Sequence, residues 1–446
     1  MSTPPKIADL RLLLIQGVRA IDPASQLDRT GDVLVRDGQL VGLGHGIAAE
    51  LDKAAQPTVI DGRGKVLVPG LVELRAHLGE PGFEYREDIA SGLKAAAAGG
   101  FVEICSQPDT DPVNDQRSIT EALRARARAV GLANLHPLAA STVGLKGEQL
   151  TELGDLLAAG ALAVSSGRTY VRNSAIMRRL LQYSRSFDAL VIQQPQDPSL
   201  VGPAVMHEGA ASARLGLSGW PRAAEEIALS RDLALCRTTG ARYHASSITT
   251  AEGVQLLEQA LERGIKVSSD VTPAHLLLSD RDVQGYDSRY RLEPPLREPS
   301  DQQALLEGLQ RGIISCISSD HRPHSQLETH CEFDQAEPGA SSLELCLSLI
   351  WSLVERGKIG ALRAIEALTS APARTLGLDA PGLTAGKPAS FALFDPLQAW
   401  TPGPQTLYSK GKNTPFLGQT LNGKVVLTVG QGVVTFDAAT ETRKSS

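Results

Sequence analysis

Histidine, carboxylate and arginine side chains cluster directly after short apolar runs in this sequence, where folding could bring them together. Arg75-Ala-His77 follows the run Val66–Val72, and Asp320 opens an Asp-His-Arg-Pro-His segment that follows Ile313–Ile317. Imidazoles and carboxylates grouped in this way bind metals or transfer protons. A guanidinium does neither, because it is always protonated and has no lone pair to donate. Arg75 is therefore the member of this group that does not suit a metal site.

The elements around these residues alternate between strand and helix from residue 67 to residue 384. Such alternation predicts a parallel sheet and, over this length, a (β/α)8 barrel. The predicted strands include Phe101–Cys105, Ala161–Val164, Ala189–Ile192 and Ile265–Val267, and the predicted helices include Ser91–Ala98, Ser118–Ala129, Arg222–Cys236 and Ala251–Glu262.

Both chain ends are rich in predicted strands that lie outside this alternation, and the simplest arrangement pairs the two ends with each other. We therefore predict an α/β fold: a (β/α)8 barrel domain at residues 67–384, and a small β-sandwich domain at residues 1–66 plus 385–446. Asp37-Gly38 is a hairpin signal in the first set of strands. The terminal strands are Leu12–Gln16, Asp32–Val35, Gln39–Gly42, Phe391–Phe394, Lys424–Val429 and Val433–Phe436.

Composition excludes several classes of function. The chain has 446 residues, 42% of them hydrophobic, and a net charge of -6, which predicts a globular protein with a large core and no nucleic-acid partner. Its five cysteines are never spaced as Cys-x-x-Cys, which disfavours a disulfide framework or a structural zinc site. No apolar stretch of membrane-spanning length occurs, and the first residues lack the pattern of a signal peptide. We therefore expect a cytoplasmic protein that does not bind membranes.

A series of sequence blocks resembles the dihydroorotases of the amidohydrolase superfamily, in the order in which that family has them. In the family, a Pro-Gly-Leu-Val-Asp stretch leads into His-x-His-x-Arg-Glu-Pro-Gly, and the first block here is similar to it. The resemblance implies an amidohydrolase-type barrel whose active site lies at the carboxyl ends of the strands. The blocks are Val68–Glu84, Ala95–Phe101, Gln107–Pro112, Glu208-Gly209, Gly219–Glu226, Val271–Leu277, Pro294–Arg297, Asp320–His324, Pro372-Ala373 and Asn413–Phe416.

The resemblance also implies where a pair of zinc ions would bind, and most of those positions have lost their ligands. His77 and Asp320 are kept, whereas Arg75 stands at the first histidine of the His-x-His motif. Two ligands cannot hold zinc in the geometries that hydrolysis requires. We therefore predict no catalytic residue, no metal and no other cofactor. The degenerate ligand positions are Arg75, His77, Ser166, Gln194, Ser247 and Asp320.

The positions that would bind substrate depart from the family as well. Gly79 stands where an arginine would clamp a carboxylate, so a bidentate contact is lost. Asp109 replaces an asparagine, and its negative charge would oppose an anionic substrate. Ala274 replaces a histidine and Glu293 replaces an asparagine. These four degenerate positions predict that no substrate site is retained.

A buried Asp320 without a metal needs a positive partner, because an isolated carboxylate is costly in a protein core. Our hypothesis is that Arg75 or Arg322 supplies this partner and that these arginines replace the charge of the metals. On this interpretation His77, His244 and His275 are hydrogen-bonded barrel histidines rather than ligands. No Gly-x-Ser-x-Gly elbow occurs in the sequence, which disfavours a serine hydrolase.

These losses predict that the chain is not an enzyme. It resembles the noncatalytic dihydroorotase-like chains of some bacteria, and that resemblance implies a scaffold subunit that assembles with aspartate carbamoyltransferase in pyrimidine biosynthesis. The expected assembly is a hetero-oligomer that also self-associates. Two alternatives stay open. One is an active amidohydrolase, a dihydroorotase or a related cyclic-amide hydrolase, with an unusual mononuclear metal site at His77 and Asp320. The other is a metabolite-sensing protein that keeps a pocket without catalysis.

Overall fold

The structure of the protein is a computed structural model that describes residues 10–47, 51 and 56–441. Strands and helices alternate through the middle of the chain, and strands predominate at both ends. The strands are β1 (Leu12–Asp22), β2 (Leu27–Arg36), β3 (Gln39–Gly44), β4 (Thr58–Asp61), β5 (Val66–Pro69), β6 (Leu71–Ala76), β7 (Phe101–Ser106), β8 (Asn134–Pro137), β9 (Ala139–Ala140), β10 (Val164–Ser165), β11 (Val191–Gln193), β12 (Met206–His207), β13 (Gly219–Trp220), β14 (Tyr243–Ala245), β15 (Val267–Val271), β16 (Cys316–Ile317), β17 (Phe391–Trp400), β18 (Leu421–Gly430) and β19 (Val433–Asp437).

The helices cover the outside of the molecule and connect the strands. None of those within the described ranges is long and apolar enough to cross a membrane. They are α1 (Ile89–Ala98), α2 (Arg117–Val130), α3 (Leu153–Ala158), α4 (Ser174–Arg185), α5 (Pro198–Val201), α6 (Ala210–Leu215), α7 (Ala223–Thr239), α8 (Ala251–Glu262), α9 (Pro273–Leu277), α10 (Pro299–Gln310), α11 (Gln326–Thr329), α12 (Cys346–Glu355), α13 (Ala361–Leu368), α14 (Ser370–Leu376) and α15 (Ala438–Glu441).

The middle of the chain forms a barrel of parallel strands. β6, β7 and β8 pair in that order, and a second run pairs β9, β10, β11, β14, β15 and β16. β8 and β9 are consecutive halves of the third barrel strand, and a parallel bridge between Ala76 and His321 joins the eighth strand to the first. The ring is therefore closed by eight strands, which confirms the predicted (β/α)8 barrel.

Helix α1 shows how local sequence positions a loop of the barrel end. Asp88 caps the helix, because its carboxylate accepts a hydrogen bond from Ser91 N at 2.7 Å and the Ser91 hydroxyl accepts one from Asp88 N at 3.2 Å. The alanines Ala95–Ala98 favour the helix and leave little bulk, so α1 packs closely on β7. The cap fixes the end of the loop at residues 77–88, which begins with His77.

Strands from both chain ends form one sheet in the order β19-β18-β17-β5-β1-β2-β3, and β4 pairs with β1. The two ends meet in the antiparallel pair β5–β17, where Phe391 lies opposite Pro69. Leu40 of β3 and Leu427 of β18 share one apolar core although four strands separate them in the sheet. The sheet therefore folds over on itself, which confirms the predicted β-sandwich. The domain boundaries at residues 66/67 and 384/385 stay a prediction.

Two local predictions in this region have opposite outcomes. The Asp37-Gly38 turn is confirmed, since both residues have positive φ angles of 49° and 74° between β2 and β3. The run Val66–Val72 is not one strand, because Gly70 divides it into β5 of the sandwich and β6 of the barrel. A Cβ atom at residue 70 would lie 2.4 Å from Val102 Cγ2, so glycine is needed where the chain crosses between the layers.

Candidate functional site

The six ligand positions implied by the family resemblance lie at one end of the barrel, at or after the carboxyl ends of five strands. The structure brings three of them into direct contact, at the centre of that end. We call Arg75, Ser247 and Asp320, together with the residues that pair with them, the barrel centre. The positions are Arg75 in β6, His77 just after β6, Ser166 after β10, Gln194 after β11, Ser247 after β14 and Asp320 after β16.

Arg75 occupies the barrel centre, with 2% of its side chain exposed. Its guanidinium is 3.4 Å from Asp320 Oδ1 and 3.6 Å from Asp270 Oδ1, and it donates a hydrogen bond to the Ser247 hydroxyl. Burial alone would lower the pKa of this guanidinium, but Asp320, Asp270 and Glu73 together raise it. Arg75 is thus a permanent cation between two carboxylates, which confirms the hypothesis that an arginine partners Asp320.

Asp270 is a member of the barrel centre that the sequence analysis missed. Its carboxylate lies 2.9 Å from His244 Nε2 and accepts a hydrogen bond from Ser247 N at 3.0 Å. Burial raises the pKa of Asp270, but Arg75 and His244 outweigh burial and hold the pKa below its ordinary value. The signal for this residue was an acidic side chain near the carboxyl end of the otherwise uncharged strand β15.

Glu73 is a second buried carboxylate that was missed, and it joins the first barrel strand to the eighth. It accepts hydrogen bonds from Ser318 Oγ at 2.5 Å, Ser319 N at 2.8 Å and Arg75 N at 3.0 Å. Burial raises the pKa of Glu73 despite these hydrogen bonds. The Glu73 carboxylate therefore holds the backbones of the first and eighth strands together where the barrel closes. Its partner on the eighth-strand side is the residue just before Asp320.

His77 pairs with Asp109, at a distance of 3.0 Å from Nδ1 to Asp109 Oδ1. Burial lowers the pKa of His77, and Asp109 offsets only part of that effect. Burial would raise the pKa of Asp109, but His77, Arg168 and Arg322 lower it to about 2. His77 is a hydrogen-bonded barrel histidine, as predicted. The negative charge of Asp109 is balanced within the protein and does not face a ligand alone.

Glu293 lies between two arginines. Its Oε2 atom accepts hydrogen bonds from Arg168 Nη2 at 3.0 Å and from Arg322 Nη1 at 3.2 Å. Arg322 is also 3.8 Å from Asp320 Oδ1, so both arginines named in the hypothesis lie beside Asp320. Burial raises the pKa of Glu293, but Arg168 and Arg322 hold it below its ordinary value. A chain of alternating charges therefore crosses this end of the barrel.

Little open space remains beside these groups. A space of about 20 Å³ is lined by Asp320, Ala274 and Glu293, and a space of about 40 Å³ is lined by His77 and Asp109. A water molecule needs a cavity of roughly 10–15 Å³, so each space holds one or a few waters. A ring-shaped substrate can enter only if side chains move.

The loop after β6 cannot carry the carboxylate-clamping arginine of the family. Gly79 has a φ of 66°, and a Cβ atom there would lie 2.4 Å from Glu87 O and 2.7 Å from Phe83 O. Only glycine fits such a position without movement of the backbone. An arginine at residue 79 would therefore require a different backbone in this loop and not a change of side chain alone.

Ser166 and Gln194 have different surroundings. The fully buried Ser166 hydroxyl donates a hydrogen bond to Gln193 Oε1 at 3.0 Å. Gln194 is 6% exposed and lines a cavity of about 730 Å³ beside the barrel centre, which we call the wide cavity. Its carboxamide makes no hydrogen bond with the residues that the structure describes. Gln194 is therefore separated from the paired groups of the barrel centre.

The side chains at the six ligand positions do not fit the zinc pair implied by the resemblance. Serine hydroxyls and a carboxamide replace imidazoles, and the guanidinium of Arg75 puts a positive charge where a cation would bind. Asp320 has two guanidinium groups within 4 Å, and His77 is paired with Asp109. A mononuclear site at His77 and Asp320 is disfavoured for the same reason.

One group of three possible metal ligands does occur within the described part of the chain, at His207, Glu298 and Asp301. Arg222 already pairs with both of its carboxylates, at 2.7 Å from Glu298 and 2.7 Å from Asp301. Burial, with the nearby cations Arg297 and Arg222, lowers the pKa of His207 to about 4. These cations neutralise the acidic pair, so the cluster is a structural ion-pair network.

Asp320 is the group of the barrel centre that is best placed to act on water. Its side chain is 13% exposed and lines the 20 Å³ space, while its Oδ1 atom is buried beside the two guanidinium groups. A carboxylate can accept a proton from an attacking water, and the two nearby guanidinium groups favour negative charge that develops beside them. These groups provide the elements of amide hydrolysis without a metal.

Comparison with known proteins places this chain among amidohydrolases. Residues 64–253 match the sequence profile of the dihydro-orotase-like family, and residues 204–435 match that of the amidohydrolase family. A protein named dihydroorotase from Anaeromyxobacter sp. strain K is 43% identical over 423 residues, which cover 94% of this chain and 97% of the relative. A dihydroorotase from Syntrophotalea carbinolica is 40% identical over 95% of this chain and 99% of its own length.

Solved structures show the same fold at lower sequence identity. The L-hydantoinase (dihydropyrimidinase) of Arthrobacter aurescens superimposes with a TM-score of 0.83 and 20% identity, over 96% of both chains. The dihydropyrimidinase of Brevibacillus agri NCHU1002 gives a TM-score of 0.81 and 21% identity, over 96% of this chain and 95% of the other. These similarities support the barrel and sandwich architecture described above.

The prediction that the chain is not an enzyme is wrong in the light of these comparisons. It was drawn from ten positions at the barrel end, whereas relatives named dihydroorotase match the chain at 40–43% identity over nearly its whole length. The physical reason for the error is that losing zinc ligands removes one route to hydrolysis. It does not remove the carboxylate of Asp320 or the positive charge beside it.

Proposed function

Because the chain belongs to the dihydroorotase-like family of amidohydrolases, we propose that it acts in pyrimidine biosynthesis on the cyclic amide of dihydroorotate. The reaction interconverts this ring with N-carbamoyl-aspartate. The observation that carries the proposal is the identity of 43% with a protein named dihydroorotase over 94% of this chain. The acid Asp320, kept at the end of the eighth strand, supports it.

We assign the chemistry to groups of the chain itself. Water adds to the ring carbonyl carbon while Asp320 accepts its proton, the ring C–N bond breaks, and the proton passes to the departing nitrogen. Arg322, 3.8 Å from Asp320, and Arg75, 3.4 Å away, supply the positive charge that favours the tetrahedral oxyanion. Substrate must first displace Glu293, because that residue lines both the 20 Å³ space and the wide cavity.

An assay of the purified full chain in both directions, with and without prior removal of metal by a chelator, tests this proposal. We expect turnover that survives the chelator and falls by about 100-fold or more in Asp320→Asn. Asp188→Asn, at a side chain that is 80% exposed, is the matched control and should retain activity. No turnover from folded protein, with or without added zinc, would refute the hydrolase. Activity that needs stoichiometric zinc would refute the metal-free site.

We also propose that the chain assembles with aspartate carbamoyltransferase. What supports this is that four of the six family ligand positions, Arg75, Ser166, Gln194 and Ser247, carry no zinc ligand, which favours a role for the surface beside that of the site. A permanent complex of this kind commonly buries more than about 2,000 Å². Co-expression with the transferase of the same organism, followed by size-exclusion chromatography, should give one complex. Separate elution of a fully active transferase would contradict the assembly.

A further inference from the structure

The connection between β17 and β18, residues 401–420, leaves the sandwich and contacts the end of the barrel. We call it the strap. Two carboxylates of the barrel domain bind it through hydrogen bonds. Glu344 accepts from Tyr408 N at 2.8 Å and from Ser409 N at 3.0 Å, and Glu87 accepts from the Ser409 hydroxyl at 2.5 Å. Because Glu87 lies in the loop after β6, the strap is fixed to the same end of the barrel that carries the barrel centre.

Asn413 of the strap binds the loop that follows β16 and carries Asp320. This asparagine is 6% exposed. Its Nδ2 atom donates hydrogen bonds to Arg322 O at 3.0 Å and to Gly339 O at 2.9 Å. Its Oδ1 atom accepts one from His324 N at 2.8 Å. Both donor hydrogens and the oxygen of one buried carboxamide are therefore used to hold the backbone beside the barrel centre.

The side chain of Arg322 depends on these backbone contacts for its position. Its guanidinium donates to Glu293 Oε2 at 3.2 Å and lies 3.8 Å from Asp320 Oδ1. Its carbon chain lies against Gly339, where a Cβ atom would be 2.7 Å from Arg322 Cδ. The buried Nε atom of Arg322 has no hydrogen-bond partner among the residues that the structure describes. The guanidinium is thus positioned by its own backbone and by that of Gly339, and Asn413 binds the carbonyl oxygen of both.

We propose that Asn413 is a positioning residue, which acts on the proposed hydrolysis through Arg322. The inference rests on the proposed function, in which Arg322 favours the oxyanion that forms when water adds to the ring carbonyl. A displacement of about 1 Å at a reacting centre can lower a rate by about 100-fold. Asn413 does not line the 20 Å³ space beside Asp320, so its effect on the reaction passes through the residues that it holds. Arg322 is thus kept in place by a segment 91 residues further along the chain.

The variants Asn413→Asp and Gln419→Glu form a matched pair that tests this inference. Each exchanges a carboxamide of the strap for a carboxylate of nearly the same size. Asn413→Asp removes both donors to the carbonyl oxygens. Gln419 is exposed, and its Nε2 atom donates to Pro415 O at 2.8 Å within the strap. With dihydroorotate as substrate, we expect kcat to fall about 10-fold in Asn413→Asp and KM to change less than about 2-fold, because the oxyanion exists only in the transition state. Gln419→Glu should keep both values.

A double-mutant cycle with Arg322→Met shows whether Asn413 acts through Arg322. Arg322→Met should lower kcat by about 100-fold. Adding Asn413→Asp to it should lower kcat by less than about 2-fold more, because the group that Asn413 positions is already absent. A loss of fold would lower kcat by the same factor in both backgrounds, and such equal factors would overturn the inference. Unchanged kcat in Asn413→Asp would overturn it as well. Thermal unfolding measures the fold of each variant, and Asn413→Ala, which introduces no charge, is used if Asn413→Asp does not fold.

Failure of the proposed hydrolase is recognised separately, because the wild type would then show no turnover. Hydrogen–deuterium exchange tests the hold of Asn413 on Arg322 without any activity. Arg322 N donates to Ala340 O at 2.8 Å and keeps this acceptor in Asn413→Ala. Exchange at Arg322 N should nevertheless become about 10-fold faster in that variant, because the loop opens more often. Exchange at the wild-type rate would show that Asn413 does not position Arg322.

Discussion

The barrel centre and the wide cavity lie side by side but differ in how their polar groups are paired. At the barrel centre, Arg75 is almost fully buried and its charge is balanced by Asp270 and Asp320. In the wide cavity, Arg172 is exposed and Gln194 forms part of the cavity wall. The charged groups of the barrel centre are therefore paired with one another, whereas Arg172 is open to solvent. The difference shows that the family position of a residue does not decide its present role.

Removing the Arg75 charge should have the largest effect on the free energy of unfolding. Arg75→Met keeps most of the side-chain volume but leaves Asp270 and Asp320 buried without their cation. Breaking a buried pair in this way costs about 3–5 kcal/mol. We expect the free energy of unfolding in urea at pH 7 to fall by about that amount.

The surface pair of Arg19 and Asp28 provides the control for that measurement. Arg19 is 43% exposed, and its distance to Asp28 is 2.8 Å. Exposed pairs contribute about 0–1 kcal/mol, so Arg19→Met should have a small effect. Equal losses in Arg19→Met and Arg75→Met would show that the barrel centre is not specially dependent on its internal cation.

Acid should destabilise the protein through His275, which lines the 20 Å³ space together with Asp320 and whose pKa burial lowers to about 4. The unfolded chain has a histidine pKa of about 6.5, so between these values the unfolded state binds the proton and stability falls as the pH falls. This histidine alone should lower the free energy of unfolding by about 2–3 kcal/mol as the pH falls from 7 to 4.5. In urea unfolding, the free energy of unfolding of His275→Gln should fall by about 2–3 kcal/mol less than that of the wild type over the same pH interval. An unchanged pH dependence in the variant would show that His275 is not held neutral by burial.

The smallest effect on stability is expected in the wide cavity. Arg172→Met removes an exposed charge that forms no ion pair with a residue the structure describes, so the free energy of unfolding should change by less than about 0.5 kcal/mol. A destabilisation that matches that of Arg75→Met would remove the distinction between the two regions.

The overall fold could be predicted from the sequence because strand and helix patterns repeat regularly through the barrel. The boundaries were harder to predict. The prediction for Ile265–Val267 misses most of β15, Val267–Val271, because its serines and aspartate interrupt the apolar pattern. The crossing at Gly70 was missed because both halves of Val66–Val72 are buried, and a continuous apolar run does not show where a chain changes layers.

Prediction of the site was limited in another way. The pairing of Asp320 with Arg75 and Arg322 followed from the cost of a buried charge, which holds for any fold. The roles of Asp270 and Glu293 could not be predicted, because they depend on which side chains meet across the barrel. The place of Gln194 on the wall of the wide cavity is equally a property of three-dimensional packing, and no spacing in the sequence indicates it.

The pairing of β5 with β17 has a consequence for synthesis of the protein on the ribosome. Residues 66–69 emerge early, but their partner strand at residues 391–394 is made only after the whole barrel has been translated. Until then one edge of β5 lacks its neighbour, and unpaired edges promote association between chains. A nascent chain that stalls before residue 391 therefore exposes the unpaired edge of β5. We expect the nascent chain to need chaperones most just before translation ends.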